Sequence, residues 1–233
     1  MMVTYEEFVR RADAVRARIG RAFAEAGRQG GDVELLAVTK NHPPEAAEYA
    51  ARYGLRAVGE NRVQEGVEKR ALVSAAIQWE LIGHLQSNKV GLAARHFDRI
   101  QSVDSAKLLE RLDSAAAQLG KVLPILLEIN AGGDPAKFGA TPADAPALLE
   151  AALSRKSLRV EGLMTIAPLS EDPGVARRAF EDLRNLRDSL AARFGTPLRE
   201  LSMGMTADLE QAVAAGSTQV RVGTALFGER LPK

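Results

Sequence analysis

Eight short strand-like segments, separated by helical stretches, constrain the fold of this chain more than any other feature of its sequence. The segments are apolar and rich in β-branched residues, which is typical of buried strands. They cover residues 33–39, 56–59, 78–82, 98–102, 122–129, 158–163, 198–202 and 218–222. Strands that alternate with helices predict a parallel sheet, and eight is the number that closes a (β/α)8 barrel, also called a TIM barrel.

The helical stretches lie near residues 44–52, 61–75, 88–95, 105–119, 142–153, 173–193 and 207–214. An additional helix precedes the first strand, since Thr4 and Glu7 form a capping box, and Gly27 and the Gly30–Gly31 pair end it. A doubly wound open sheet is the competing topology, but it usually has about six strands and a glycine-rich turn that is lacking here. We therefore predict one α/β domain over residues 1–233, a TIM barrel on which the N-terminal helix of residues 1–30 packs.

Charge and composition exclude several classes of function. The net charge is +1, from 31 basic and 30 acidic side chains, so neither nucleic acid nor an anionic membrane is a predicted partner. The absence of cysteine excludes disulfides, thiolate metal sites and cysteine nucleophiles. Histidines His42 and His96 show no metal-ligand spacing with acidic residues, so no metal is predicted. Without a signal sequence or a long apolar run, we expect a soluble, cytoplasmic protein.

Lys40 ends the first predicted strand and is the candidate reactive residue. A lysine held at a strand end, away from bulk water, can lose its proton near neutral pH and attack a carbonyl carbon. On its own, a lysine in this position is more often structural than reactive. The segments that follow the last two strands give it a chemical context.

Those two segments are rich in glycine and hydroxyl side chains, which suit a phosphate. Ser202, Gly204 and Thr206 follow strand seven, and Gly223 and Thr224 follow strand eight. Glycine lets backbone N–H groups approach a dianion, and the loops after strands seven and eight are the usual phosphate site of this fold. A lysine that forms Schiff bases, together with a remote phosphate site, indicates pyridoxal phosphate.

The sequence resembles the pyridoxal phosphate homeostasis protein family, whose barrel is that of the amino-terminal domain of alanine racemase. The matching segments are residues 36–40, 59–65, 79–89, 137–139, 162–167, 201–208 and 216–228. They follow one another in order over almost the whole chain. Thr206 stands where the family more often has serine, which preserves the hydroxyl.

The resemblance implies a role for each of several residues. Lys40 would carry the cofactor as an internal aldimine (a Schiff base), and Thr206, Gly223 and Thr224 would hold the phosphate with the nearby Ser202. Arg221 would face the pyridine nitrogen, although without the resemblance it could equally be a structural ion-pair partner in the barrel mouth. Asn61 and Met164 would line the ring. Lys137 would be a secondary cofactor contact or simply a surface lysine.

Catalysis is not predicted, because two features needed to use the cofactor are weakened or missing. An arginine donates to the pyridine nitrogen and leaves it unprotonated, so the ring is a poorer electron sink. Alanine racemases add a tyrosine base from a second domain, and we expect no room for such a domain before Lys233. The tyrosines of this chain lie on predicted helices rather than at strand ends: Tyr5, Tyr49 and Tyr53. The second base is therefore missing from the prediction.

Two functions from different classes follow from these features. The first is a monomeric carrier or buffer of pyridoxal phosphate, not an enzyme, with pyridoxal phosphate-dependent apo-enzymes as recipients. The alternative is an amino-acid racemase or another weak enzyme that uses Lys40 and His84 as bases.

Overall fold

Eight parallel strands close into a barrel in the computed structural model, which describes residues 2–29 and 32–228. The strands are β1 Glu34–Val38, β2 Ala57–Glu60, β3 Gln78–Leu81, β4 Arg99–Val103, β5 Leu123–Glu128, β6 Leu158–Met164, β7 Glu200–Ser202 and β8 Gln219–Val222. Each strand pairs with the next, and β8 pairs with β1 to close the sheet. The predicted TIM barrel is confirmed, and the open-sheet alternative is wrong.

The helices follow the predicted alternation. They are α1 Tyr5–Glu25, α2 Glu45–Arg52, α3 Val63–Leu72, α4 Val90–His96, α5 Ala106–Gln118, α6 Ala145–Leu153, α7 Pro173–Phe194, α8 Leu209–Ala215 and α9 Thr224–Phe227. A 3-10 turn, Ser87–Lys89, precedes α4 where the sequence predicts continuous helix. The short α9 was not predicted, because four residues carry no periodic pattern.

The additional helix α1 begins at a side-chain cap and packs beside the last elements of the barrel. Thr4 accepts a hydrogen bond from the amide of Glu7, as the capping box predicts. The buried face of α1 contacts α8 and α9, and the rings of Phe8 and Phe227 stack with centroids 5.3 Å apart. Gly27 has a φ of 62° just after the helix, whereas Gly30 and Gly31 lie outside the described residues.

The strands carry different residues on their two faces. Their outward side chains pack with the helices into one large apolar core. Inside the barrel, a small apolar cluster of Leu36, Val38, Ala57 and Ile82 occupies one side. Buried polar residues come from the other strands: Glu80, Arg99, Gln101, Ser202, Gln219 and Arg221. The interior therefore differs from the layers of branched apolar side chains usual in this fold.

Candidate functional site

A cavity of about 210 Å³ opens at the carboxyl ends of the strands, bounded largely by segments from β1, β2, β7 and β8. Its lining residues are Val38, Lys40, Asn61, Ile82, Ile166, Met205, Thr206, Ala207, Arg221, Gly223 and Thr224. The volume is several times that of one water molecule, about 30 Å³ in the liquid. This end of a TIM barrel is where ligand and catalytic sites are built.

The cavity brings together six of the predicted cofactor contacts: Lys40, Asn61, Thr206, Arg221, Gly223 and Thr224. Ser202 and Met164 are fully buried and are not among its lining residues. Met205, by contrast, lines the cavity. Ile82 and Ile166 were missed, since an apolar residue at a strand end carries no signal that separates a ligand contact from core packing.

A second cavity of about 590 Å³ lies near the amino end of β1, beside α1. Glu34 and Arg56 line it and form an ion pair with each other at 2.5 Å between the carboxylate and guanidinium atoms. None of the described residues around it is a lysine. The smaller cavity, which combines a lysine, hydroxyls and an arginine, is therefore the candidate site.

The turn that carries Lys40 is held by side chains of α3. The following residue, Asn41, has a φ of 61°, a region that few non-glycine residues adopt and that asparagine tolerates best. The backbone N–H of Asn41 donates to Oε1 of Glu65, and the Lys69 ammonium donates to the carbonyl oxygen of Thr39 at 2.7 Å. These contacts fix the backbone on both sides of Lys40.

Lys69 also joins two carboxylates, one fully buried and one at the edge of the site. Its Nζ lies 2.8 Å from Oε1 of Glu60 and 2.7 Å from Oε1 of Glu65. Burial raises the pKa of Glu60 despite the opposing effect of Lys69 and Thr39. Burial acts in the same direction on Glu65, but hydrogen bonds from Lys69 and Asn41 outweigh it and lower the pKa of that carboxyl. Sequence reasoning missed this cluster, although the spacing of Glu65 and Lys69 is that of a helical ion pair.

The loop after β7 is shaped by a glycine and two side-chain contacts. Gly204 has a φ of 95°, and its carbonyl accepts from the amide of Arg221 at 2.9 Å. The Asp208 carboxylate accepts from the amide of Met205 at 2.6 Å. Arg18 of α1 donates to the carbonyl oxygen of Thr206 at 3.0 Å. Asp208 lies at the N-cap of α8 and holds the loop through its contact with Met205.

The turn after β8 presents hydroxyl and amide donors to the same cavity. Gly223 precedes α9, and a Cβ atom at this position would lie 3.2 Å from the carbonyl oxygen of Val38. The first amides of α9, at Thr224 and Ala225, have no acceptor within the helix. With the hydroxyls of Thr206 and Thr224, these donors suit a phosphate dianion.

Arg221 reaches the cavity from inside the barrel. Its Nη1 donates to Oγ of Ser202 and its Nη2 to the carbonyl oxygen of Thr165, both at 2.8 Å. Burial lowers the pKa of Arg221 to about 10, so the guanidinium is still charged at neutral pH. Both of these acceptors are neutral, which favours a ligand-facing role over that of an ion-pair partner. Nearby, Oδ1 of Asn61 is buried and receives no hydrogen bond from residues 2–29 or 32–228, so it can accept from a ligand.

His84 and Lys137 lie outside the cavity lining. The His84 ring stacks on Phe138 with centroids 3.9 Å apart, and its Nδ1 lies 3.7 Å from the Asp104 carboxylate. The side chain of His84 is 36% exposed. Lys137 is half-buried in the loop after β5, where its carbonyl accepts from Asn130.

The buried carboxyl of Glu128, at the end of β5, should make the stability of the fold depend on pH. It is 4% exposed, and burial, with the charge of Asp104, raises the pKa of its carboxyl from 4.5 to about 7, while Arg221 opposes the rise. Because the folded-state pKa is the higher one, this group stabilises the fold fully below pH 4.5 and progressively less as the pH rises to 7.

Glu128→Gln should therefore gain stability relative to the unmodified protein as the pH rises, by about 3 kcal/mol at pH 8. Urea unfolding between about pH 5 and pH 8 measures the difference. Glu110→Gln, on the exposed face of α5, is the matched control and should show no such gain. A constant difference across this pH range would contradict the prediction.

Neither a membrane span nor a metal cluster is found in the part of the chain that the structure describes. Within residues 2–29 and 32–228, no helix combines the length and apolar character needed to cross a bilayer. The same residues contain no group of three or more acidic or histidine side chains placed to hold a metal ion.

The fold and the cavity match a known family. The family model for the amino-terminal domain of alanine racemase matches residues 11–231. The chain belongs to this family. Two alanine racemase structures from Clostridium difficile agree in fold, with TM-scores of 0.75 and 0.76 at 15% and 14% sequence identity, and the chain covers 58% and 60% of their length.

Within that family, the chain belongs to the pyridoxal phosphate homeostasis proteins. It is 40% identical to the member from Aquifex aeolicus, over 94% of this chain and 97% of that one, and 42% identical to the member from Pseudomonas aeruginosa, over 93% of each. The structure of PipY from Synechococcus elongatus with pyridoxal phosphate bound has a TM-score of 0.83 and 38% identity, covering 95% of this chain and 100% of PipY. The resemblance described from sequence is confirmed.

Proposed function

We propose that this protein binds pyridoxal phosphate in the cavity at the barrel mouth and serves intracellular homeostasis of the cofactor as a carrier. The observation that carries the proposal is the convergence of Lys40, Arg221 and the two threonines of the β7 and β8 loops on one cavity. Relatives that are about 40% identical bear the name pyridoxal phosphate homeostasis protein, and PipY holds the cofactor in its structure.

The residues present fit this cofactor group by group. The amine of Lys40 is the nucleophile for the aldehyde carbon, and the cofactor, when bound, supplies that electrophilic aldehyde. Thr206 and the Gly223–Thr224 turn offer hydroxyl and amide donors to the phosphate. Arg221 donates to the pyridine nitrogen, and the cavity-lining Asn61 contacts the ring. We assign Met164 and Ser202 to the layer beneath the ring, since both are buried.

Two features favour a carrier over a catalyst. The first is Arg221, which keeps its proton at neutral pH and cannot accept one from the pyridine nitrogen. The second is the position of the tyrosines: Tyr5 and Tyr49 contact each other between α1 and α2, and Tyr53 donates to Asp13. None of these three lines the cavity, so none is placed to act as a second base.

Borohydride reduction followed by peptide mapping tests the covalent site. Borohydride converts the carbon–nitrogen double bond between lysine and cofactor into a stable amine. We expect one labelled peptide, modified at Lys40, with the visible absorption of the loaded protein lost in parallel. Labelling at Lys137 or another lysine would contradict the assignment.

Hydrogen exchange separates the carrier from a racemase. The cofactor-loaded protein is incubated with a panel of L-amino acids in deuterated buffer, and exchange of the α-hydrogen is followed by NMR. We expect no exchange above that of free pyridoxal phosphate. Exchange at turnover rates with loss of stereochemistry would establish the racemase alternative, with His84 as the first residue to replace.

We propose further that residues 1–233 form a single folding domain and act as a monomer in the cytoplasm, with pyridoxal phosphate-dependent apo-enzymes as recipients. Sedimentation of the loaded protein and a single cooperative urea transition are the expected results. A dimer at micromolar concentration, or two separate transitions, would contradict this assignment.

A further inference from the structure

A chain of buried polar side chains runs through the barrel interior beneath the cavity. Glu80, Gln101, Ser202 and Arg221 come from β3, β4, β7 and β8, and each is at most 4% exposed. Nε2 of Gln101 on β4 also donates to Oε1 of Gln219 on β8 at 2.7 Å. These two strands lie on opposite sides of the barrel, so only side chains that point into its interior can make this contact.

Successive hydrogen bonds connect the arginine of the cavity to a carboxylate deep in the barrel. Nη1 of Arg221 donates to Oγ of Ser202 at 2.8 Å, and that hydroxyl donates to Oε1 of Gln101 at 2.6 Å. Nε2 of Gln101 then donates to Oε2 of Glu80. The same carboxylate oxygen accepts from Nη2 of Arg99 at 2.9 Å, which closes the chain with an ion pair.

The three hydrogen bonds between Arg221 and Glu80 point in one direction, towards the carboxylate, where they meet the bond from Arg99. Burial raises the pKa of Glu80, and the ion pair with Arg99 opposes that rise. The amide nitrogen of Gln101 donates to this carboxylate, so its carbonyl faces Ser202. The hydroxyl of Ser202 donates to that carbonyl at 2.6 Å, with Oε1 of Gln219 as a second acceptor at 3.2 Å, which leaves its lone pairs for Arg221. Aligned bonds of this kind polarise and strengthen one another in a low-dielectric interior.

We propose that Gln101 and Ser202 are positioning residues, which act with Glu80 to fix the guanidinium of Arg221 where it donates to the cofactor. This inference rests on the proposed function, since it concerns the contact of Arg221 with bound pyridoxal phosphate. The opposite side of the guanidinium is held by the carbonyl oxygen of Thr165, and this hydrogen bond remains when the chain is removed.

Gln101→Leu tests the chain at its centre, since it removes the nearer acceptor of Ser202 and the donor that links this hydroxyl to Glu80. Oε1 of Gln219, at 3.2 Å, is then the acceptor left to Ser202. We expect a shift in the visible band of the loaded protein and a loss of about tenfold in affinity, measured by titrating apo-protein with pyridoxal phosphate. Ser202→Ala breaks the chain with a smaller change in volume and should act in the same direction, which keeps the test decisive where Gln101→Leu does not fold. Gln118→Leu, on the exposed end of α5, is the control and should change neither quantity.

A double-mutant cycle separates positioning from a general structural effect. In an Arg221→Lys background the hydrogen-bond chain has no guanidinium to place. Gln101→Leu should therefore change the visible band and the affinity for pyridoxal phosphate no further. Additive losses in the double variant would overturn the proposal, because they would show that Gln101 acts independently of Arg221. An unchanged band and affinity in Gln101→Leu alone would overturn it as well.

An NMR measurement on the apo-protein decides the inference separately from cofactor binding. The side-chain nitrogen signals of Arg221, identified by their loss in Arg221→Lys, should report a guanidinium with slowly exchanging protons. Gln101→Leu should speed that exchange by about tenfold or more, as the Nη1 contact weakens. Failure of the protein to form a lysine adduct would refute the proposed function, whereas unchanged exchange in Gln101→Leu would refute the positioning role.

Discussion

Replacing Lys40 by alanine should abolish the visible absorption band of the cofactor-loaded protein. The band requires a covalent bond between the cofactor and an amine, and Lys40 is the lysine that lines the cavity. The donors of the β7 and β8 loops are untouched, so pyridoxal phosphate should still bind weakly through its phosphate. Absorption spectroscopy after removal of free cofactor measures the loss.

Lys107→Ala is the matched control, because Lys107 is exposed on α5, away from the cavity lining. Its spectrum should be that of the unmodified protein. A yellow species that survives in Lys40→Ala would show that another lysine carries the cofactor, and the assignment of the cavity would then fail. Lys40→Arg should behave like alanine, since it restores the charge but not the nucleophile.

Lys69→Met should lower the free energy of unfolding by about 4 kcal/mol, the cost of leaving a buried carboxylate without its partner. The side chain of Lys69 is 8% exposed and that of Glu60 is fully buried. Combining Glu60→Gln with Lys69→Met removes the uncompensated charge, so the double variant should recover much of the lost free energy of unfolding. Urea unfolding at neutral pH measures both variants against the unmodified protein.

The sign of the pH dependence provides an independent check on Lys69→Met. The folded-state pKa of Glu60 is raised, so its protonation at low pH removes the unpaired charge, and the defect should shrink as the pH falls. Lys156→Met, at an exposed position, should be neutral at every pH. A defect in Lys69→Met that is independent of pH would point to lost packing rather than to the ion pair.

The turn of Lys40 should also loosen in Lys69→Met, because the Lys69 ammonium donates to the carbonyl oxygen of Thr39. We therefore expect weaker cofactor binding in Lys69→Met than in Lys156→Met.

The barrel could be predicted from sequence because its signal is local and repeated. Apolar runs that alternate with amphipathic stretches define the order of the eight strands and of helices α1 to α8, whose ends were misplaced by a few residues, whereas the four-residue α9 was missed. Strand β7, predicted over 198–202, begins at Glu200, and α3, predicted over 61–75, covers Val63–Leu72. These differences arise at segment ends, where local propensity does not fix hydrogen bonding.

The polar interior could not be predicted, since it arises from contacts between distant parts of the chain. Gln101 and Ser202 are separated by 101 positions, and Gln101 and Glu80 by 21. Within its own strand, each of these three residues is an ordinary polar residue among apolar neighbours. Ser202 was predicted to contact the cofactor because its hydroxyl lies near the phosphate segment, and only the closed barrel places it beside Arg221. The cavity residues were easier, because most of them follow strand ends.

The contacts between α1 and the β7 loop, and between β1 and β8, have a consequence for synthesis. Lys40 lies far in sequence from the loops at Thr206 and Gly223, and the helix that supports Thr206 through Arg18 precedes all three. A nascent chain that has not yet reached residues 206–224 cannot assemble the phosphate donors, however well its early strands have folded. On the proposed function, retention of the cofactor therefore begins only after this later segment has been added.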